Sequence, residues 1–175
     1  MPKSMQLGIF IMSAISAIGS AGSAFGGTAT ATMTNIVTIG NDCSISSSGF
    51  TTTYDPVVVN ATANQDVSAS VTTTCTPGAA PVITLGQGAN PNTGSTDTAP
   101  LRRLSSGGGT PTYLNYSLFS DAGRTTTWGN TSATAPASTT ASGSPTAVTV
   151  YARVPAGQSG VATTFTDTVV ATVTF

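Results

Sequence analysis

The chain contains no histidine and no glutamate, and its single lysine is Lys3. Only 6% of its residues are charged, against about 25% in an ordinary globular domain. These absences exclude most chemistry. Without histidine, neither a Ser-His-Asp nor a Cys-His arrangement can be assembled, and a zinc site built on the two cysteines lacks its remaining ligands. Without glutamate, paired-carboxylate catalysis would rest on six aspartates, Asp42, Asp55, Asp66, Asp97, Asp121 and Asp167. They are scattered singly, mostly beside turn residues, where capping and turn formation are their expected duties. Asp97 or Asp121 could help to hold calcium, yet nothing resembles an EF-hand loop. The Gly107-Gly108-Gly109 run lacks the lysine and following helix of a phosphate-binding loop. Beyond Lys3 the only cations are Arg102, Arg103, Arg124 and Arg153, and the net charge is −1, so no basic patch for nucleic acid can form. The expectation is a protein that is not an enzyme, with no cofactor, no metal and no nucleic-acid partner.

What the chain has in abundance is Thr, Ser, Ala, Gly and Val. Thr and Val are stiff at χ1 and favour pleated strands, and Gly and Pro supply turns. A neutral, hydroxyl-rich surface suits packing against copies of the same molecule. The same composition is compatible with disorder, so periodicity has to decide.

Lys3, the apolar run Leu7 to Ile18 and the small residues Ser20-Ala21-Gly22-Ser23-Ala24 have the layout of a secretory signal peptide over 1–24. The apolar run is shorter than the ~20 residues a membrane-crossing helix needs, and no later segment could span a membrane. Export fits two cysteines, Cys43 and Cys75, forming one disulfide; two buried free thiols are the alternative. Closing the 32-residue loop would stabilise the fold by about 3.5–4 kcal/mol on the chain-entropy model.

Period-two alternation then recurs along the chain, the signature of half-buried strands. Val67, Ala69, Val71, Thr73 and Cys75 share one face, as do Leu114, Tyr116 and Leu118. So do Val148, Val150, Ala152 and Val154, and near the C-terminus Val169, Ala171, Val173 and Phe175. A short apolar strand is expected over 81–85. Turn-rich stretches lie between, over 86–98, 105–111 and 128–145. Short strands and turns in a chain of 175 residues predict one all-β domain, 43–175, of immunoglobulin-like sandwich type.

One segment does not fit so simply. From Thr28, threonines at 28, 30, 32, 34 and 38 alternate with Ala29, Ala31, Met33, Asn35, Val37 and Ile39; Ile36 is the exception on the threonine face. Gly26-Gly27 precedes the segment and Gly40-Asn41 follows as a hinge. Two readings are open: the first strand of the chain's own sandwich, or a detachable strand, carried on an extension spanning 25–42, that adds to a neighbour's sheet.

The alternating strand, Cys43-Ser-Ile45, Tyr54-Asp-Pro56, Val71-Thr-Thr-Thr-Cys75-Thr-Pro77, Leu101-Arg-Arg-Leu104, Leu114-Asn-Tyr-Ser-Leu-Phe119, Thr127-Trp-Gly129 and the closing Phe165 to Phe175 together resemble the spore coat protein U domain. That family includes subunits of archaic chaperone–usher pili. The resemblance implies an incomplete immunoglobulin-like sandwich completed by a donor strand from a neighbouring subunit. Ala29, Ala31, Met33, Val37 and Ile39 would fill the groove, with Asn35 departing from an all-apolar face. Val169, Ala171, Val173 and Phe175 would form a groove wall. It further implies a homopolymer assembled with a periplasmic chaperone and an outer-membrane usher, secreted through the periplasm to the cell surface as a major-pilin-like fibre subunit supporting adhesion and biofilm formation. The rivals are a monomeric secreted carbohydrate-binding sandwich, using Trp128, Tyr113 and Tyr116 as an aromatic platform, and a spore or envelope coat protein.

Overall fold

The computed structural model describes residues 26–175, so the expected signal peptide lies outside the described residues. The chain divides into two units, 1–37 and 38–175. In the first, residues 26–37 form neither helix nor strand and are exposed.

The second unit is all-β. Its strands are β1 (Cys43–Ser48), β2 (Gln65–Cys75), β3 (Val82–Leu85), β4 (Arg102–Ser105), β5 (Tyr113–Phe119), β6 (Thr146–Val154) and β7 (Ala171–Thr174). Five make one antiparallel sheet in the order β1-β2-β6-β5-β4, and β3 pairs with β7 in a second. The long alternating runs form the centre of the larger sheet because each has one face to bury. Cross-strand neighbours Val67 and Ala152, Ala69 and Val150, and Val71 and Val148 stack small apolar side chains along β2 and β6, the pairing that stabilises a sheet. Val71, Tyr116, Leu118, Val150, Ala152 and Val154 are buried, and Ile83 and Leu85 of β3 meet them from the opposite layer.

β1 pairs with β2 only from Ser70 to Cys75, whereas β6 accompanies β2 from Gln65 to Thr73. The chain therefore leaves the sheet after Ser48. At the other end of this short ladder Cys43 opposes Cys75, and the two are joined by a disulfide. The stretch 128–145, expected as loop, is irregular apart from a 3-10 turn at Ser132–Thr134, but its first residue is core: Trp128 is fully buried.

Two aspartates serve local turns. Asp55 accepts the amides of Val57 and Val58 at 2.9 and 3.1 Å, and Asp121 those of Thr125 and Thr126. These bonds hold both carboxyls below the usual carboxylate range. Asp66 differs. It sits on β2 and takes a two-pronged contact from Arg153 on β6, at 2.7 and 2.8 Å.

Candidate functional site: an apolar cleft beside an open strand edge

Two strands cannot cover five. With strands about 4.8 Å apart, the β3–β7 layer spans less than half the width of the sheet it faces. Beside this layer lies a cleft of about 880 Å³, although the side chains at its base are for the most part buried. Its floor is the inward face of the larger sheet: Ala69 and Val71 of β2, Val150 and Val154 of β6, Leu114, Tyr116 and Leu118 of β5, and Leu104 of β4. Leu85, Val169 and Ala171 line it from the other layer, and residues 47–54 and 160–167 form the rim.

The two edges of the small sheet are treated differently. The outer edge of β3 is closed by side chains: Trp128 Nε1 donates to the Ile83 carbonyl at 2.9 Å, and Arg102 Nη2 donates to the Leu85 carbonyl at 2.9 Å. The Leu85 amide bonds to the Gly129 carbonyl at 2.9 Å. Arg102 also donates through Nε to Gly86 at 2.8 Å and through Nη2 to the Trp128 carbonyl at 2.9 Å. β7, in contrast, pairs only with β3 among the described residues. Its second edge is left with unpaired backbone groups, a template for another strand.

Arg102 is the residue that sequence reading missed. In the sequence it stood out only as one of four arginines and as part of the Leu101–Leu104 segment, yet it is 1% exposed. Burial lowers its pKa to about 10, opposed by the nearby Tyr116 and Asp167. Tyr116 donates its hydroxyl to Asp167 at 2.7 Å, and burial followed by that bond pushes the phenol's pKa upward. Asp167 in turn accepts the amides of Ala89 and Asn90. The network fixes the 86–90 turn against the end of the cleft. It contains no nucleophile and base in contact, and its work is positional.

Of the expected site residues, Val169 and Ala171 stand on the cleft wall. Val173 packs half-buried against the core, and Phe175, 48% exposed, follows the end of β7. Met33, Val37 and Ile39 are exposed at 82%, 90% and 81%, and Ala29, Ala31 and Asn35 are exposed too; no strand includes any of the six. Phe50 was not singled out. A lone aromatic within Ser, Gly and Thr marks it as an anchor, and it packs edge-on against Tyr116 with ring centroids 5.9 Å apart. The aromatic platform fails on geometry: Trp128 and Tyr116 are buried, and Tyr113 lies under the Arg103 guanidinium at 4.0 Å.

Comparison with known proteins agrees with this architecture. The family model for the Spore Coat Protein U domain matches residues 28–172. Protein U of Myxococcus xanthus is 44% identical over 101 residues, covering 54% of this chain and 56% of that protein. The chain thus matches a little over half the length of this relative. One chain of the crystal structure of the CsuC–CsuE chaperone–tip adhesion subunit pre-assembly complex, from archaic chaperone-usher Csu pili of Acinetobacter baumannii, superposes with a TM-score of 0.52. The match covers 77% of this chain and 40% of that one at 17% identity, and the likeness is one of fold.

Proposed function

This chain belongs to the spore coat protein U domain family, and on that premise we propose that it is a pilus-type structural subunit that polymerises by strand donation. Residues 28–39 of one copy fill the cleft of the next and pair with the open edge of β7. The observation that carries this reading is the apolar cleft running beside that unpaired edge.

The donor is written for such a site. Met33, Val37 and Ile39 are solvent-exposed in the single chain, and burying an aliphatic side chain of this size yields about 1.5–3 kcal/mol. A ladder of backbone bonds to β7 adds register. Antiparallel pairing is the more stable arrangement per residue, and β7 already pairs that way with β3. Insertion is head-to-tail and does not close on itself, so it generates a filament. An open edge over an apolar cleft is an aggregation hazard; a periplasmic chaperone would cover it until an outer-membrane usher exchanges the strands. The fibre would then lie on the cell surface and support adhesion and biofilm formation.

The test replaces Met33 by Asp. A charge on the inward face would enter the cleft without a partner, at roughly several kcal/mol. Fibre yield by electron microscopy should collapse while soluble subunit accumulates; normal fibres would reject strand donation. The description of the matched family as a spore coat domain favours a second reading, an envelope coat layer built from the same domain. Micrographs of sheared cells separate the two, because a coat leaves no detached filaments.

A further inference from the structure

Two features are unexplained by cleft filling. Ile36 breaks the threonine face of the donor segment and is 83% exposed. Val57, Val58 and Val59 follow one another on an irregular turn, exposed at 80%, 72% and 58%, and Val161 is 58% exposed. Building on the strand-donation reading, we infer that the outward-facing Ile36 of the donor copy docks between Val57 and Val161 of the acceptor, so that the inserted strand is gripped on both faces.

The valine turn is held firmly for an element that displays apolar side chains to water. Asp55 caps the amides of Val57 and Val58. Asn60, 1% exposed, accepts the Asp55 amide at 2.8 Å and donates to the Ala63 carbonyl at 3.0 Å. Tyr54 donates its hydroxyl to the Pro155 carbonyl at 2.8 Å and accepts the Gln158 amide at 3.1 Å, and the Gly157 amide bonds to the Asn60 carbonyl at 2.8 Å. The turn is therefore tied to the segment that leads to Val161, and both Val57 and Val161 border the cleft.

Direction places Ile36 at that end. The chain passes Val161 on its way into β7, so the Val161 end of the cleft is the beginning of β7. A donor antiparallel to β7 lays its C-terminal part there, and Ile36 lies in that part. The inward set Met33, Asn35 and Val37 faces the floor, and Ile36 between them faces the rim. The occupant is a second copy of this chain, because the one departure from the donor's outward threonine pattern matches Val57 and Val161, apolar positions on a border otherwise rich in Ser and Thr.

The experiment uses full-length exported protein carrying Ile36→Thr, Val57→Thr or both, and records the temperature at which purified fibres dissociate. Each single change should lower it by several degrees, and the double change should lower it no further than the larger single. Unchanged single variants, or effects that add, would overturn the contact. The unfolding temperature of the monomer should stay constant, since both side chains are exposed there; a matching fall would overturn the contact by placing the effect within one chain. Met33→Asp run alongside keeps the two claims apart. If Met33→Asp abolishes fibres while the threonine variants behave additively, strand donation stands and this contact falls.

Discussion

Residues 28–39 and residues 168–175 are written in the same alphabet. Each alternates threonine with apolar side chains, Asn35 excepted, and each has one apolar residue on the threonine face, Ile36 in the first and Val170 in the second. Yet the second contributes β7, with Val173 packed on the core, and the first forms no strand. The difference is the neighbour. β7 follows β6 in the chain and finds β3 beside it, whose far edge is already sealed by Trp128 and Arg102. Alternation states which side chains share a face; it does not state in which molecule the partner lies.

The largest expected effect comes from removing that seal. Arg102→Met would orphan the carbonyls of Leu85, Gly86 and Trp128, at about 1–3 kcal/mol for each buried acceptor left unpaired. Urea unfolding should show a loss of several kcal/mol, and amide exchange in β7 should rise with that in β3. If β7 stays protected in a destabilised protein, β3 is not what makes this strand differ from the N-terminal one.

A paired substitution sharpens the comparison directly. Val173→Asp puts a charge on the half-buried face of β7 and should cost about 2 kcal/mol or more of monomer stability. Met33→Asp should leave the monomer's unfolding temperature unchanged, since Met33 is exposed, while stopping assembly. Equal losses of monomer stability would place both segments in the same sandwich and favour the first of the two readings of residues 28–39.

How far the sequence reaches can be judged on these residues. β2, β5 and β6 were legible because their alternation is long and each has a face to bury. β1 was harder: Cys-Ser-Ile-Ser-Ser-Ser carries almost no contrast, since an edge strand exposed along most of its length has no pattern to keep. β4 was hidden by two adjacent arginines, which show no apolar alternation, although Arg102 turns inward and is bonded to three carbonyls. Val169 and Ala171 line the cleft, and their alternation showed that they share a face. The floor was readable only as core, because a face is equally apolar whether its own chain or another one covers it. The turn signals of Asp55 and Asp121 were local and therefore plain.

Acid should have the smallest effect, and it falls on one region alone. Residues 28–39 carry no ionisable side chain. In the body of the domain the hydrogen bonds from Arg153, with the charge of Arg124 assisting, hold the Asp66 carboxyl below its ordinary value. A lowered folded pKa means that this stabilisation is present above the usual carboxylate range and disappears as pH falls through the folded pKa. Asp66 is partly exposed, so the pair should contribute under about 1 kcal/mol. The melting temperature of Asp66→Asn should match that of the parent chain in strong acid and fall slightly below it at neutral pH; the same gap at both would discount the pair.

Amide hydrogen exchange over residues 28–39, in the isolated subunit and in the assembled fibre, addresses strand donation most directly. Strand donation predicts fast exchange throughout the segment in the subunit. In the fibre, the amides that pair with β7 should be protected to the level of β2 and β6. Protection already present in the isolated subunit, or fast exchange that persists in the fibre, would contradict it.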